Sequence, residues 1–179
     1  MSATETAVIV LAAGAGTRMR SATPKVLHPL GGRSMLAHVL HALTALTPSH
    51  AVVVVGHGRD RVNAEVSRVA ERTNTTIGTV VQEEQLGTGH AVGVGLTALP
   101  DDFAGTVVIT TADVPLLGAD TLAALTAAHE GAQATILTTT LADPTGYGRI
   151  VRDADGAVAA IVEQADADET QRAIGEINS

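Results

Sequence analysis

Glycines and basic residues near the start of the chain have the types and spacing of a phosphate-binding site. An apolar run at residues 7–13 ends at Gly14 and Gly16, and Arg18 and Lys25 follow. Glycine allows a tight turn and lets a ligand approach the backbone, whose N–H groups can surround an anion. Lys25 is the only lysine among the 11 lysine and arginine residues. The pattern predicts a buried strand that ends in a phosphate-binding loop, with Arg18 and Lys25 as its cations.

Neither of two familiar phosphate-binding motifs fits this loop. A P-loop requires a lysine directly after its second glycine, whereas Lys25 lies well beyond Gly16. A dinucleotide-binding fingerprint requires a third glycine, and Met19 stands at that position. The glycines alone are equally compatible with an ordinary strand-to-helix loop, so the interpretation depends on the single lysine.

The composition excludes several classes of protein. The 179 residues suffice for one domain whose core is aliphatic, because hydrophobic residues make up 45% of the chain and aromatic residues 1%. The absence of cysteine excludes disulfides and thiolate metal sites. The net charge of −8 argues against nucleic-acid binding, and the N-terminus lacks a signal peptide or membrane span. We expect a cytoplasmic protein with no nucleic-acid or membrane partner.

Apolar strands alternate with helices over the first two thirds of the chain. Continuous β-branched runs are typical of strands buried on both faces of a parallel sheet, and Ser34 is a typical N-cap for the helix after it. The predicted strands are 8–11, 51–55, 76–81 and 106–111, and the predicted helices are 35–46, 60–71, one ending near residue 99 and one from about 120 to 130. We predict an α/β fold with a Rossmann-like, mostly parallel sheet and helices on both faces.

The last third changes to short strands and turns. Segments 149–152 and 157–163 flank a turn-forming Asp-Ala-Asp-Gly sequence, which predicts a β-hairpin extension. A further strand is predicted at 134–140. The sequence stops at residues 176–179 without a closing cap or charged tail, so we expect a domain that is incomplete at its C-terminus.

Three loops of this fold should converge, because parallel strands share one direction and their carboxyl ends share one edge. They are residues 14–25, 82–88 and 111–113. Together they would supply backbone donors, an amide, cations and the carboxylate of Asp113, which suits Mg²⁺. Phosphoryl transfer needs such positioning and charge neutralisation. The alternative for Asp113 is a turn or helix-capping carboxylate.

Five motifs carry a resemblance that covers residues 7–178. LAAGAGTRM at 11–19 followed by Pro24-Lys25 resembles the signature of sugar-1-phosphate nucleotidyltransferases. The remaining motifs narrow the resemblance to the bacterial bifunctional N-acetylglucosamine-1-phosphate uridyltransferase/glucosamine-1-phosphate acetyltransferase family. They are QEEQLGTGHA at 82–91, TGYGRI at 145–150, IVEQ with a following aspartate at 161–166, and EIN at 176–178. The resemblance implies that residues 1–179 belong to the uridyltransferase, or pyrophosphorylase, domain of such a protein.

The resemblance also implies a role for each matching residue. Arg18 and Lys25 would be catalytic and bind phosphates, and Asp113 would hold the cofactor Mg²⁺. The implied substrate contacts are Leu11, Ala12, Ala13 and Gly14 along the nucleotide, Gln82, Gly87 and Thr88 at the uracil, Lys25, Thr111, Ala112 and Asp113 nearby, and Gly148, Glu163 and Asn178 at the N-acetylglucosamine. Many relatives carry an aromatic residue and a glycine where this chain has Thr111 and Ala112.

The implied reaction joins UTP and N-acetylglucosamine-1-phosphate into UDP-N-acetylglucosamine and pyrophosphate, for cell-wall precursor synthesis. Family members continue beyond this chain with an asparagine that is a second Mg²⁺ ligand and with a β-helix domain that transfers acetyl groups and forms trimers. We expect both to be missing here. The alternatives are another sugar-1-phosphate or small-phosphate nucleotidyltransferase, a nucleotide-binding module without turnover, a dinucleotide-binding module and a non-catalytic interaction domain.

Overall fold

The computed structural model describes residues 5–16 and 19–178. Within it the chain forms two compact units, Met1–Thr126 and Ala127–Ser179. Each unit has its own sheet, so each is described by itself.

The first unit is an α/β layer structure around a four-stranded sheet. The sheet has the order β5-β4-β1-β6, and every neighbouring pair is parallel. A short hairpin, β2–β3, precedes the first helix. The elements are β1 (Thr6–Ala12), β2 (Pro29–Leu30), β3 (Arg33–Ser34), α1 (Met35–Thr44), β4 (His50–Val55), α2 (Arg59–Thr73), β5 (Gly78–Val81), α3 (Thr88–Leu96), β6 (Thr106–Thr111) and α4 (Ala119–Ala127), with a 3-10 turn at Lys25–Leu27.

Helices cover both faces of this sheet, which confirms the predicted fold class. Val8 and Val10 of β1 pack in one cluster with apolar residues of α1, α2 and α4, whereas Ile9 packs in a second cluster with Ala91 of α3. The sheet is therefore buried on both sides, as its unbroken β-branched strands require. On the α3 side the packing is very close, because a Cβ atom added to Gly95 would lie 2.6 Å from Cγ2 of Ile9.

The predicted elements of the first unit are present, with shifted ends. The helix after Ser34 begins as predicted, since the Ser34 hydroxyl accepts a hydrogen bond from the N–H of Ala37 at 3.1 Å. The hairpin β2–β3 was not predicted, although Gly31 and Gly32 between its strands have φ values of 57° and 83°, which a tight hairpin turn favours. The adjacent glycines could therefore have predicted this hairpin from the sequence.

A buried polar cluster joins the start of α1 to α2. Ser34 Oγ donates to Glu65 Oε1 at 2.5 Å, and Arg68 forms an ion pair with the same carboxylate. The Glu65 side chain is only 8% exposed. Burial alone would raise the pKa of Glu65, but hydrogen bonds from Ser34 and Arg68, with the nearby positive charges, outweigh it and lower the pKa. Glu65 is therefore an ionised, bonded carboxylate between the two helices.

The second unit is built on an antiparallel sheet with the order β7-β10-β8-β9. The predicted hairpin is confirmed: Asp153 Oδ1 accepts from the N–H groups of Asp155 and Ala157 in its turn. The strand predicted at 134–140 is shorter in the structure, where it covers Thr138–Thr140. The helix at Glu169–Arg172 and the last strand at Glu176–Asn178 were not predicted. The elements are β7 (Thr138–Thr140), β8 (Arg149–Arg152), β9 (Val158–Val162), α5 (Glu169–Arg172) and β10 (Glu176–Asn178).

An ion pair links β10 to β8 in this sheet. Arg152 donates from Nε and Nη2 to the two carboxylate oxygens of Glu176 at 2.8 and 2.6 Å, and Thr138 Oγ1 donates to the same carboxylate at 2.7 Å. The hydrogen bonds from Arg152 and Thr138 lower the pKa of Glu176 to about 2. The folded second unit therefore favours the ionised form of this carboxylate.

Replacing Glu65 with alanine should lower the free energy of unfolding by about 1–3 kcal/mol, because a buried, charge-assisted hydrogen-bond partner is lost. Urea denaturation measures the change. Glu71→Ala is the matched control, since Glu71 lies on the exposed side of the same helix. Equal losses for both variants would contradict a structural role of the buried cluster.

The ion pair of Glu176 should make stability depend on pH in the acid range. Its folded pKa of about 2 lies below the ordinary 4.5, so its contribution is complete above the ordinary value and disappears as the pH falls toward 2. The Tm of the protein should exceed that of Glu176→Gln near neutral pH, and the difference should shrink in acid. Glu169→Gln, which changes an exposed carboxylate of the same unit, is the control. A difference independent of pH would contradict the prediction.

Candidate functional site

A cavity of about 520 Å³ opens at the carboxyl edge of the parallel sheet in the first unit. The loops after β1, β5 and β6 all contribute to it, as the parallel strands predict. Ten of the implied contact residues line it: Leu11, Ala12, Ala13, Gly14, Lys25, Gln82, Gly87, Thr88, Thr111 and Asp113. The cavity therefore unites residues from three distant segments of the sequence.

The glycine turn after β1 lies directly against Lys25. Gly16 has a φ of +59°, and a Cβ atom added to it would lie 2.6 Å from Cβ of Lys25. Gly14, in contrast, has no described atom within 4 Å of the place where its Cβ would be. Gly16 is therefore needed for the backbone conformation and for the approach of Lys25, while Gly14 leaves an open stretch of main chain along the cavity.

Lys25 and Asp113 form an ion pair inside this cavity. Lys25 begins the 3-10 turn, and Asp113 follows β6. Burial alone would raise the pKa of Asp113, but hydrogen bonds from Lys25 and Thr111 and the charge of Lys25 hold it below its usual range. The side chains are still 39% and 33% exposed. The pair thus offers an ammonium group to phosphate oxygens and an ionised carboxylate to a metal ion.

The donor set around Asp113 fits Mg²⁺ of the kind that binds with a nucleotide. Residues 5–16 and 19–178 contain no group of three or more His, Asp or Glu side chains that could enclose a metal ion. Mg²⁺ usually takes one or two protein carboxylates and fills its remaining positions with phosphate oxygens and water. The single carboxylate of Asp113 is therefore enough to supply the protein ligand for such an ion.

Gln82 lines the cavity next to the start of α3. Its backbone N–H donates to the carbonyl of Val55 at 2.8 Å, which continues the β5–β4 ladder, and the residue is 4% exposed. Gly87 caps α3 with a φ of 98° and no side-chain bond to the first turn. The backbone N–H groups of the first turn of α3 are therefore not bonded to a capping side chain, and they lie next to the amide of Gln82.

Sequence reasoning missed several residues of the cavity. Gln85, Met19 and Ala91 line it, and His90 contacts Gln82 through a 3.0 Å bond between Nδ1 and Nε2. His90 stood within the QEEQLGTGHA motif, but nothing in the sequence linked it to one neighbour. Residue spacing predicts the loop and not which side chains turn toward each other.

In the first unit, Ala112 is the described site residue that does not line the cavity. Ala112 is 1% exposed and belongs to the apolar core, and its N–H donates to the carbonyl of Leu11 at 3.0 Å. Its side chain therefore fills the core beneath the site. Arg18 lies outside the described residues, so its predicted contact with phosphate stays a prediction.

The three residues assigned to the sugar lie side by side in the second unit. Arg149 of β8 pairs with Val162 of β9 and with Ile177 of β10, both antiparallel. The next residues outward are Gly148, Glu163 and Asn178, so they share one edge of this sheet. A Cβ atom added to Gly148 would lie 2.7 Å from Oδ1 of Asn178, so a larger residue there would displace the Asn178 side chain.

A buried arginine holds the loop before Gly148. Arg149 is 1% exposed, donates to the carbonyl of Tyr147, and donates to Gln164 Oε1 at 2.7 Å. The same Gln164 oxygen accepts from the N–H of Gly146 at 3.2 Å. The TGYGRI motif therefore combines a loop with the buried side chain that fixes it.

Comparison with known sequences identifies the family. Residues 8–176 match the MobA-like NTP transferase domain. The chain belongs to this family. It is 60% identical over 178 residues to the bifunctional protein GlmU of Mycobacterium sp. (strain KMS), and 61% identical over 177 residues to that of Mycolicibacterium gilvum. These alignments cover 99% and 98% of the chain but 36% of each relative, so the chain spans about a third of their length.

Solved structures agree with the fold of an NTP transferase domain. A UDP-glucose pyrophosphorylase complexed with UDP-glucose has a TM-score of 0.75 at 15% identity, over 97% of this chain and 73% of that one. A putative glucose-1-phosphate thymidylyltransferase from Bacillus anthracis has a TM-score of 0.74 at 18% identity, over 97% and 69%. Both confirm the predicted nucleotidyltransferase fold. Among the described helices, none is both long and apolar enough to cross a bilayer.

Exchanging Gly16 for alanine should lower the free energy of unfolding by about 1–3 kcal/mol, because the left-handed conformation strains an L residue and the new methyl group collides with Lys25. Gly14→Ala is the matched control, and its change should stay within about 0.5 kcal/mol. Urea denaturation of both variants tests this, and equal stabilities would refute the assigned role of Gly16.

Proposed function

We propose that this NTP transferase domain transfers a uridylyl group from UTP to N-acetylglucosamine-1-phosphate, giving UDP-N-acetylglucosamine and pyrophosphate for cell-wall precursors in the cytoplasm. One observation carries the proposal: the glycine turn, the Lys25–Asp113 pair and Gln82 line a single cavity. The resemblance of the sequence motifs to the uridyltransferase family and the identity of about 60% to proteins named GlmU support the choice of substrates.

The base end of the nucleotide is assigned to the Gln82 side of the cavity. Gln82 supplies a buried amide, and Gly87 and Thr88 bring exposed backbone and the start of α3 next to it. An amide and backbone groups can form hydrogen bonds with the edge of a uracil ring. Leu11 to Gly14 would lie along the rest of the nucleotide.

The phosphate end is assigned to the side that carries Lys25. The Lys25 ammonium would move from Asp113 to phosphate oxygens, and Arg18 would add a second cation. An oxygen of the sugar-1-phosphate forms a bond with the α-phosphorus of UTP as the bond to pyrophosphate breaks. Positive groups fixed beside the transferred phosphorus and the leaving pyrophosphate stabilise the charge that these atoms carry in the transition state.

Mg²⁺ fits this assignment through Asp113. When bound, the ion would supply further charge neutralisation at the phosphate oxygens. Asp113 would hold it with one carboxylate, which is already ionised because the pKa of this group is low. Gly148, Glu163 and Asn178 are the proposed contacts of the N-acetylglucosamine, with Glu163 as an exposed acceptor for a sugar hydroxyl.

Ligand-dependent thermal stability tests the proposed substrates on the chain itself. UDP-N-acetylglucosamine should raise the Tm more than UDP-glucose, and UTP with Mg²⁺ more than CTP or NAD. A ligand at 100 times its dissociation constant adds about 2.7 kcal/mol of stability. Equal shifts with CTP and UTP would favour another nucleotidyltransferase, a shift with NAD alone would favour a dinucleotide-binding module, and no shift with any nucleotide would overturn the proposal.

In the same assay, Lys25→Met should lose most of the shift with UTP and Mg²⁺, because the cation beside the phosphates is gone. Arg33→Met is the matched control, since it removes one positive charge from the exposed strand β3, away from the residues that line the cavity. A full shift in Lys25→Met would exclude a phosphate contact of this lysine.

A further inference from the structure

The amide of Gln82 is held in one orientation by two neighbours. Its Nε2 atom donates to the carbonyl oxygen of Gly87 at 3.3 Å and lies 3.0 Å from Nδ1 of His90. Gln82 is 4% exposed, and His90, on the first turn of α3, is half-buried. A buried amide with both hydrogens occupied cannot rotate without losing hydrogen bonds.

The Gly87 carbonyl determines which end of the amide faces it. A carbonyl oxygen only accepts hydrogen bonds, so the amide must turn its NH₂ group toward Gly87 and its oxygen away. The second hydrogen of the same NH₂ group then points to His90 Nδ1. This nitrogen must accept, so His90 carries its proton on Nε2. The contact therefore fixes both the amide and the tautomer of the ring.

This arrangement leaves Oε1 as the group that Gln82 can offer to a ligand. Among the described residues no donor bonds to Oε1, and the atom is not buried without a partner, while Gln82 lines the cavity. The site therefore offers a ligand the acceptor oxygen of Gln82, while both N–H groups of the amide already have partners in the protein.

We propose that His90 is a positioning residue that, together with the Gly87 carbonyl, gives the site its preference for uracil over cytosine, by holding Gln82 with Oε1 toward the base. The inference rests on the proposed function, which places the base at Gln82. Uracil carries a hydrogen on N3 and can donate it to Oε1. Cytosine has a bare, accepting N3, so its lone pair would face the lone pairs of Oε1. An amide turned the other way would favour cytosine, and His90 opposes that turn.

The first experiment compares the affinities of UTP and CTP, each with Mg²⁺, by isothermal titration calorimetry. His90→Leu removes the acceptor and should reduce the ratio of UTP to CTP affinity about tenfold, since a buried N–H loses its partner. His90→Asn should recover most of the ratio, because an asparagine oxygen can occupy the place of Nδ1. A general loss of stability would weaken both nucleotides alike and leave the ratio unchanged.

His50→Leu is the matched control. His50 also has a side-chain bond through Nδ1, to Ser49 Oγ at 3.0 Å, but it lies at the first residue of β4, at the other end of that strand from the cavity. This variant should keep the ratio of the unmodified chain. An unchanged ratio in His90→Leu would overturn the role of His90, whereas a chain without any preference for UTP would overturn the assignment of the base as well.

The second experiment observes the tautomer directly. Long-range ¹H–¹⁵N spectra distinguish protonated from unprotonated ring nitrogens, and the signals missing from His90→Leu identify those of His90. The proposal requires an unprotonated Nδ1 and a protonated Nε2. A proton on Nδ1 at neutral pH would overturn it, because that nitrogen could no longer accept from Gln82.

Discussion

The common direction of the four strands in the first sheet is the constraint on which the candidate site depends. Because β1, β4, β5 and β6 are all parallel, the segments that follow them emerge at one edge. Lys25 and Asp113 lie 88 residues apart in the sequence and still form an ion pair there. No local interaction could bring such residues together, so the site depends on the assembled sheet.

Close packing on one face of the sheet brings a helix to that site. α3 carries glycine and alanine where it meets β1 and β4, and Gly95 lies so near Ile9 that a methyl group would not fit. The start of the helix and His90 are thereby held at the end of β5, next to Gln82. A chain with almost no aromatic residues builds its core in this way, from small and aliphatic side chains at short distances.

Local patterns in the sequence predicted the layers of the fold and the three loops that form the cavity, while the family resemblance named most of the individual residues that line it. β-branched runs mark buried strands, the hydroxyl of Ser34 marks a helix start, and glycines after β1 mark an open turn. The sequence did not predict hydrogen bonds between side chains that lie far apart in the chain. The Ser34–Glu65 contact and the hydrogen bond from Gln82 to His90 depend on how the helices pack on the sheet. Ala112 was assigned to the site because of its position next to Asp113, but its side chain points into the core, which the sequence did not reveal.

For the proposed substrates, which are anions, attraction would have to come from local charge and not from the charge of the whole chain. The net charge of −8 repels a nucleoside triphosphate at a distance, and screening by salt limits that repulsion to about 10 Å. Within the cavity, Lys25 neutralises Asp113 when no ligand is bound, which avoids an unpaired carboxylate in a half-buried position. In the proposed function, a phosphate group that arrives with its own divalent cation would exchange partners with this pair: the ammonium would contact the phosphate and the carboxylate would hold the metal. Each charge would then have a partner before and after the exchange, and neither state would leave a half-buried charge unpaired.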